Sequence, residues 1–147
     1  MPNKIYVLGL RGRWCKLVLQ GKTKFEYRVL RLCAGLVGCW ALLRCSFKLK
    51  VEDAWVRRQL VVGVVVLGPP VPRYGDHRDS AHVWRAEWGA TSQYKYAYPV
   101  VKRVIFRNAF RIDHTNCLPR VPAWASWTQV RSTLPGQALS KLELRLD

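Results

Sequence analysis

The sequence predicts an α+β fold: a small, mostly β barrel decorated with short helices. Two observations carry this. The chain reads as strand, short helix, strand and then several more strands, with no strand–helix–strand rhythm of a parallel sheet. Its 147 residues, half of them hydrophobic, suffice for one domain with a real core and make wholesale disorder a poor reading.

Residues 4–10, Lys-Ile-Tyr-Val-Leu-Gly-Leu, form a strand rich in β-branched and aromatic side chains. Over residues 13–20, Trp14, Leu17 and Val18 fall at helical spacing, and Gly21 supplies the left-handed stop. Residues 24–30 alternate. Phe25, Tyr27 and Val29 share one side of a strand, and Lys24, Glu26 and Arg28 share the other. A further strand runs over 39–50, after a turn at 35–38. The polar stretch 51–59 is read as a short helix or loop. Residues 60–67, nearly all Val and Leu, make a buried strand that Gly68-Pro69-Pro70 ends.

Residues 73–93 are irregular and carry Tyr74, His77, His82, Trp84 and Trp88, which suggests a functional or partner-contacting insertion. Residues 94–111 are two strands or one strand bent near Asn108. A Pro- and Trp-rich return follows, with 128–131 as a closing strand, so residues 1–131 are assigned to the domain and 132–147 to a C-terminal helix or tail.

Net charge is +16, and the first fifty residues hold eleven Lys and Arg against a single acid, Glu26. Such an excess points to a polyanion, most often nucleic acid. A lone carboxylate in that positive field is expected to be ionised. The five cysteines, at 15, 33, 39, 45 and 117, form no Cys-x-x-Cys pair, and the three His show no metal spacing. No metal and no cofactor is therefore expected. Cys33, Cys39 and Cys45 read as small buried hydrophobes, which implies a reducing, intracellular setting, cytoplasmic or nuclear. No secretory signal is evident, and the apolar run 32–43 is too short to span a bilayer.

Gly21-Lys22-Thr23-Lys24-Phe25-Glu26-Tyr27-Arg28 resembles the Gly-x-Lys-x-x-Glu-x-Arg signature of ASCH domains, relatives of the PUA, EVE and YTH domains. Gly21, Glu26 and Arg28 match in register; Thr23 stands where the signature has Lys. The stretches Tyr98-Pro99-Val100-Val101-Lys102-Arg103-Val104-Ile105-Phe106 and Trp124-Ala125-Ser126-Trp127 echo the late strand and the closing segment of that superfamily. The resemblance spans roughly residues 4–131 and implies a PUA-like barrel with a pocket between the first helix and the strands.

The leading functional expectation is a nucleic-acid-binding domain, RNA ahead of DNA, with a basic cleft around the first helix and second strand. Arg11, Arg13, Lys22, Thr23, Lys24, Glu26 and Arg28 are its candidate residues. The resemblance also implies an alternative, a small amidohydrolase acting on acetylated cytidine. Its weak catalytic candidates are Lys22, Lys24 and Glu26, and Thr23 in the Lys position argues against it. A third reading is a basic structural subunit of a ribonucleoprotein.

Each candidate also has a plain structural role. Glu26 and Arg28 could be a strand salt bridge, and Lys22 and Lys24 a solvated turn. Trp14 is placed in the core by its helical stripe, and Trp40 and Trp55 are read as packing residues. Trp84 and Trp88 lean to packing, and Trp124 and Trp127 fit either role.

Overall fold

A computed structural model describes residues 4–73, 83–85, 91, 93–112, 123–126 and 128. The elements run β1 (Lys4–Arg11), α1 (Gly12–Leu19), β2 (Phe25–Arg28), a 3-10 turn (Ala34–Leu36), β3 (Trp40–Val51), β4 (Ala54–Leu67), β5 (Val71–Pro72), β6 (Tyr96–Ile112) and β7 (Ala123–Ser126). They join in a seven-stranded sheet of order β2-β6-β4-β3-β1-β7, with β5 also on β6. The pair β1–β3 is parallel; the other ladders are antiparallel.

β1 lies between β3 and β7 and is covered on both faces. Ile5, Tyr6, Val7 and Leu8 are accordingly all buried, as a near-continuous apolar run requires. α1 lays Cys15 and Val18 on the sheet and ends at Gly21, whose φ is +69°. Gly21 N–H donates to Val18 O and Lys22 N–H to Leu17 O, both at 3.1 Å, the Schellman pattern. A Cβ on Gly21 would sit 2.5 Å from the Arg103 guanidinium. That guanidinium donates to Val18 O at 3.5 Å, placing a cation at the helix C-terminus.

The stretch 51–59 departs from expectation. It is the outer half of a β3–β4 hairpin, turning at Glu52-Asp53 with Glu52 at φ 56°. Gln59, Arg58 and Arg57 pair with Ser46, Phe47 and Lys48, so cross-strand pairing overrides the polar composition. In β6 the register jumps from Ile105 opposite Gly63 to Phe110 opposite Val61, which puts the bend around Asn108. A described strand, Ala123–Ser126, pairs with Lys4–Val7 of β1, and Trp124 meets Tyr6 edge-on at 5.2 Å, while residues 129–131 of the expected closing strand lie outside the described residues. The expected tail 132–147, and Tyr74, His77, His82, Trp88 and Trp127, lie outside the described residues.

The closure expected of a barrel is not seen: among the described residues the sheet is an open path with β2 and β7 at its ends. Both edges of β1 are occupied, by β3 and β7, so β2 cannot add to it. A side chain spans the gap instead: Arg28 Nη2 donates to Gly9 O of β1 at 3.0 Å.

The main core gathers Tyr6, Leu8, Leu10, Cys15, Val18, Leu43, Val65 and Tyr98. A satellite cluster joins Tyr27, Val83 and Ala97 on the other side of β2. The cysteines also differ from expectation. Cys15 and Cys45 are disulfide-bonded, α1 to β3, with Cα atoms 6.1 Å apart, while Cys33 and Cys39 are exposed thiols. Packing of α1 on β3 juxtaposes two cysteines 30 residues apart, which no short spacing motif could announce. The cysteine argument for a reducing setting therefore loses its basis. Among the described residues no helix is long and apolar enough to cross a membrane.

Candidate nucleic-acid interface

A cavity of about 720 Å³ opens where β2 faces β1 and α1. β1 supplies Tyr6, Gly9 and Leu10, and α1 supplies Trp14 and Val18. Thr23, Glu26 and Arg28 enter from the turn and β2, and the stretch after β2 adds Val29, Leu30, Arg31, Leu32 and Cys33. Gln93 and Tyr94 close it.

β2 divides its side chains by alternation. Tyr27 packs into the satellite cluster, with its ring 5.5 Å from Trp84 and its hydroxyl donating to Val83 O at 2.6 Å. Burial pushes the Tyr27 phenol up to about 12. Glu26 and Arg28 meet on the cavity side, with Arg28 Nε 2.9 Å from Glu26 Oε1. The contact is an ion pair and not an aligned hydrogen bond, since the buried Nε–H has no hydrogen-bond acceptor among the described residues. Arg28 is thereby strung between Glu26 and the Gly9 carbonyl.

Glu26 is 6% exposed. Burial raises its carboxyl to about 7, against the opposing pull of the Arg28 guanidinium beside it. The expectation of a firmly ionised carboxylate is corrected: desolvation outweighs the cations, because the Lys neighbours in sequence are exposed to water. At neutral pH the group exchanges between a hydrogen-bond acceptor and a carboxylic acid that also donates.

The predicted site residues separate. Thr23, Glu26 and Arg28 come together in the cavity, with Thr23 buried. Lys22 and Lys24 are exposed beside it and do not line it. The side chains of Arg11 and Arg13 lie outside the described part of the structure.

Sequence reasoning missed several residues. Trp14, expected in the core, is half-buried and forms cavity wall, because the short α1 overhangs the open seam. Its spacing of four from Val18 was the available signal. Arg31 is exposed on the cavity lip, its guanidinium 5.7 Å from the Tyr96 ring centre. Tyr98 accepts a hydrogen bond from Leu32 N–H at 2.7 Å and fixes the stretch after β2. Cys33, at the cavity edge, has its thiol pKa lowered by the Trp124 side-chain hydrogen bond, then by Gly35 backbone and the Lys4 charge. No sequence pattern pointed to it. Trp40, expected to pack, is half-buried.

Among the described residues no group of three His, Cys, Asp or Glu is placed to hold a metal ion. The arrangement instead offers an acceptor-or-acid, a fixed guanidinium, aromatic walls and cations outside. It can hold a flat polar ring by its edge and an anion at the entrance.

No family model and no curated protein matches the sequence. Among solved structures the chain is similar to the crystal structure of ASCH from Zymomonas mobilis, at 14% sequence identity and a TM-score of 0.43. The match covers 88% of this chain and 93% of that one.

Proposed function

We propose that this chain is an ASCH-type nucleic-acid-binding domain, with RNA ahead of DNA, that takes a nucleobase into the cavity between β2, β1 and α1. The observation that carries the reading is the buried Glu26–Arg28 pair facing a cavity, in a chain whose net charge is +16. Burying a charged pair costs desolvation energy, which a plain strand clamp does not require. A base edge repays that cost, because every base presents a donor beside an acceptor. Glu26 accepts from the donor, and Arg28 donates to the acceptor.

Affinity comes from outside the cavity. Lys22, Lys24 and Arg31 are exposed near its entrance and meet phosphates, which position the strand without reading it. Trp14, half-buried on the cavity wall, gives a base a face to stack on. The amidohydrolase alternative draws no support from the site, since Thr23 holds the signature Lys position inside the cavity and both neighbouring lysines stay outside.

The test is a salt titration of binding to a fluorescein-labelled single-stranded RNA. The logarithm of affinity should fall linearly with the logarithm of salt, by roughly 0.7 per phosphate contact. An affinity that does not change between low and moderate salt would refute the reading.

A further inference from the structure

The stretch Arg28-Val29-Leu30-Arg31 presents an anomaly that base recognition alone leaves unexplained. Leu30 is 79% exposed and Val29 43% exposed, and both stand on the lip of the cavity that holds Glu26 and Arg28. Two aliphatic side chains in water between two arginines gain nothing for the fold. Their backing is firm, however. Arg28 O accepts from Lys95 N–H at 3.0 Å, and Arg28 Nη2 donates to Gly9 O at 3.0 Å. On the far side Arg31 lies over Tyr96, and Leu32 N–H donates to Tyr98 hydroxyl at 2.7 Å. The chain is thus fastened on both sides of Leu30, and the side chain projects from a braced support.

We propose that Leu30, with Val29 beside it, is a wedge that enters the base stack of a bound RNA and fills the space vacated by the base held in the cavity. The proposal rests on the nucleic-acid reading above and adds a residue and a step to it. A base cannot enter a pocket while stacked and paired, and extruding it leaves an apolar gap between its neighbours. An aliphatic side chain fills that gap at little entropic cost and partly compensates the lost stacking. The wedge and the pocket must be adjacent, because the extruded base and the gap it leaves are one nucleotide apart. Leu30 and Glu26 line the same cavity, which meets that condition. The occupant is indicated by charge: Arg31 and the exposed Lys22 and Lys24 suit phosphates rather than an apolar protein surface.

The experiment uses two RNA hairpins that carry the fluorescent base 2-aminopurine, dim when stacked and bright when extruded. In one hairpin the base is paired in the stem; in the other it is an unpaired bulge. Binding of the unaltered protein should brighten the paired probe. Leu30→Ala should weaken binding to the paired probe by about tenfold, leave the bulged probe within about twofold, and reduce the brightening; Leu30→Met should retain both. Thermal melting of each variant checks that the fold is kept.

Equal weakening on both probes, or binding without brightening, would overturn the wedge while leaving nucleic-acid binding intact. Unchanged affinity and brightness in Leu30→Ala would also overturn it and assign the exposed leucine to a protein contact. Failure of the unaltered protein to bind either hairpin would overturn the wedge together with the reading it rests on.

Discussion

Replacing Glu26 by Gln should make the protein more stable at alkaline pH and remove a pH dependence that the native chain carries. The carboxyl is raised from its ordinary 4.5 to about 7 by burial. Between those two values the folded state binds a proton that the unfolded state has released. Stability therefore falls as pH rises through this window and levels off above it. The separation corresponds to roughly 3 kcal/mol at 1.36 kcal/mol per pH unit, with Arg28 already counted as an opposing influence. The assay is urea unfolding of both proteins at pH 5 and pH 8, read as the difference between them, which cancels any His titration. Native protein should lose more stability than the variant between the two conditions, by an amount on the order of 3 kcal/mol. A native protein that loses no more than Glu26→Gln, or one that gains stability with pH relative to it, would refute the claim that burial dominates at this carboxyl.

Three further outcomes follow from the geometry. Gly21→Ala meets a φ of +69° and the Arg103 guanidinium, and should lower stability by about 1–3 kcal/mol in the same urea assay. Reduction of Cys15–Cys45, whose partners are 30 residues apart, should lower stability by roughly 3–4 kcal/mol, with two additional thiols titrating in the reduced protein. The double variant Lys22→Ala, Lys24→Ala should lower the salt slope for single-stranded RNA by about 1.4, with sequence preference unchanged. A changed preference at constant slope would show that these lysines read bases.

Much of the fold was legible because local pattern and tertiary context agree. The Val and Leu run 60–67 is buried wherever it is placed, and Gly21 after a short apolar helix is a stop in any context. The outer hairpin was not legible. Its polar residues pair as strand only because 46–51 lies opposite, and that partnership is not a property of the window itself. The open path of the sheet among the described residues has a similar origin. Only the topology shows that β7 takes the edge of β1 that β2 would need.

The site divides along the same line. Alternation in Phe25–Arg28 placed Glu26 and Arg28 on a common face, and the structure puts that face in the cavity. The protonation of Glu26 was misjudged because sequence counts neighbouring charges but not their solvation. Lys22 and Lys24 are close in the chain yet lie in water, where their field is screened. The alternating reading of 24–30 ran too far, since β2 ends at Arg28, and Leu30, Arg31 and Cys33 belong to an irregular segment fixed by Tyr98 and Trp124 from distant strands.

The most direct test of the central claim is the affinity and base selectivity of Glu26→Gln on a set of short RNA oligonucleotides at pH 8, where the native carboxyl is ionised. Gln keeps the shape of the side chain and removes its charge. If Glu26 reads a base in the cavity, the variant should fold normally and lose discrimination among oligonucleotides that the native protein distinguishes. General electrostatics makes the opposite forecast, since removing a negative charge from a basic cleft strengthens polyanion binding. Tighter binding with unaltered selectivity would contradict the account and reduce Glu26 and Arg28 to a buried strand clamp.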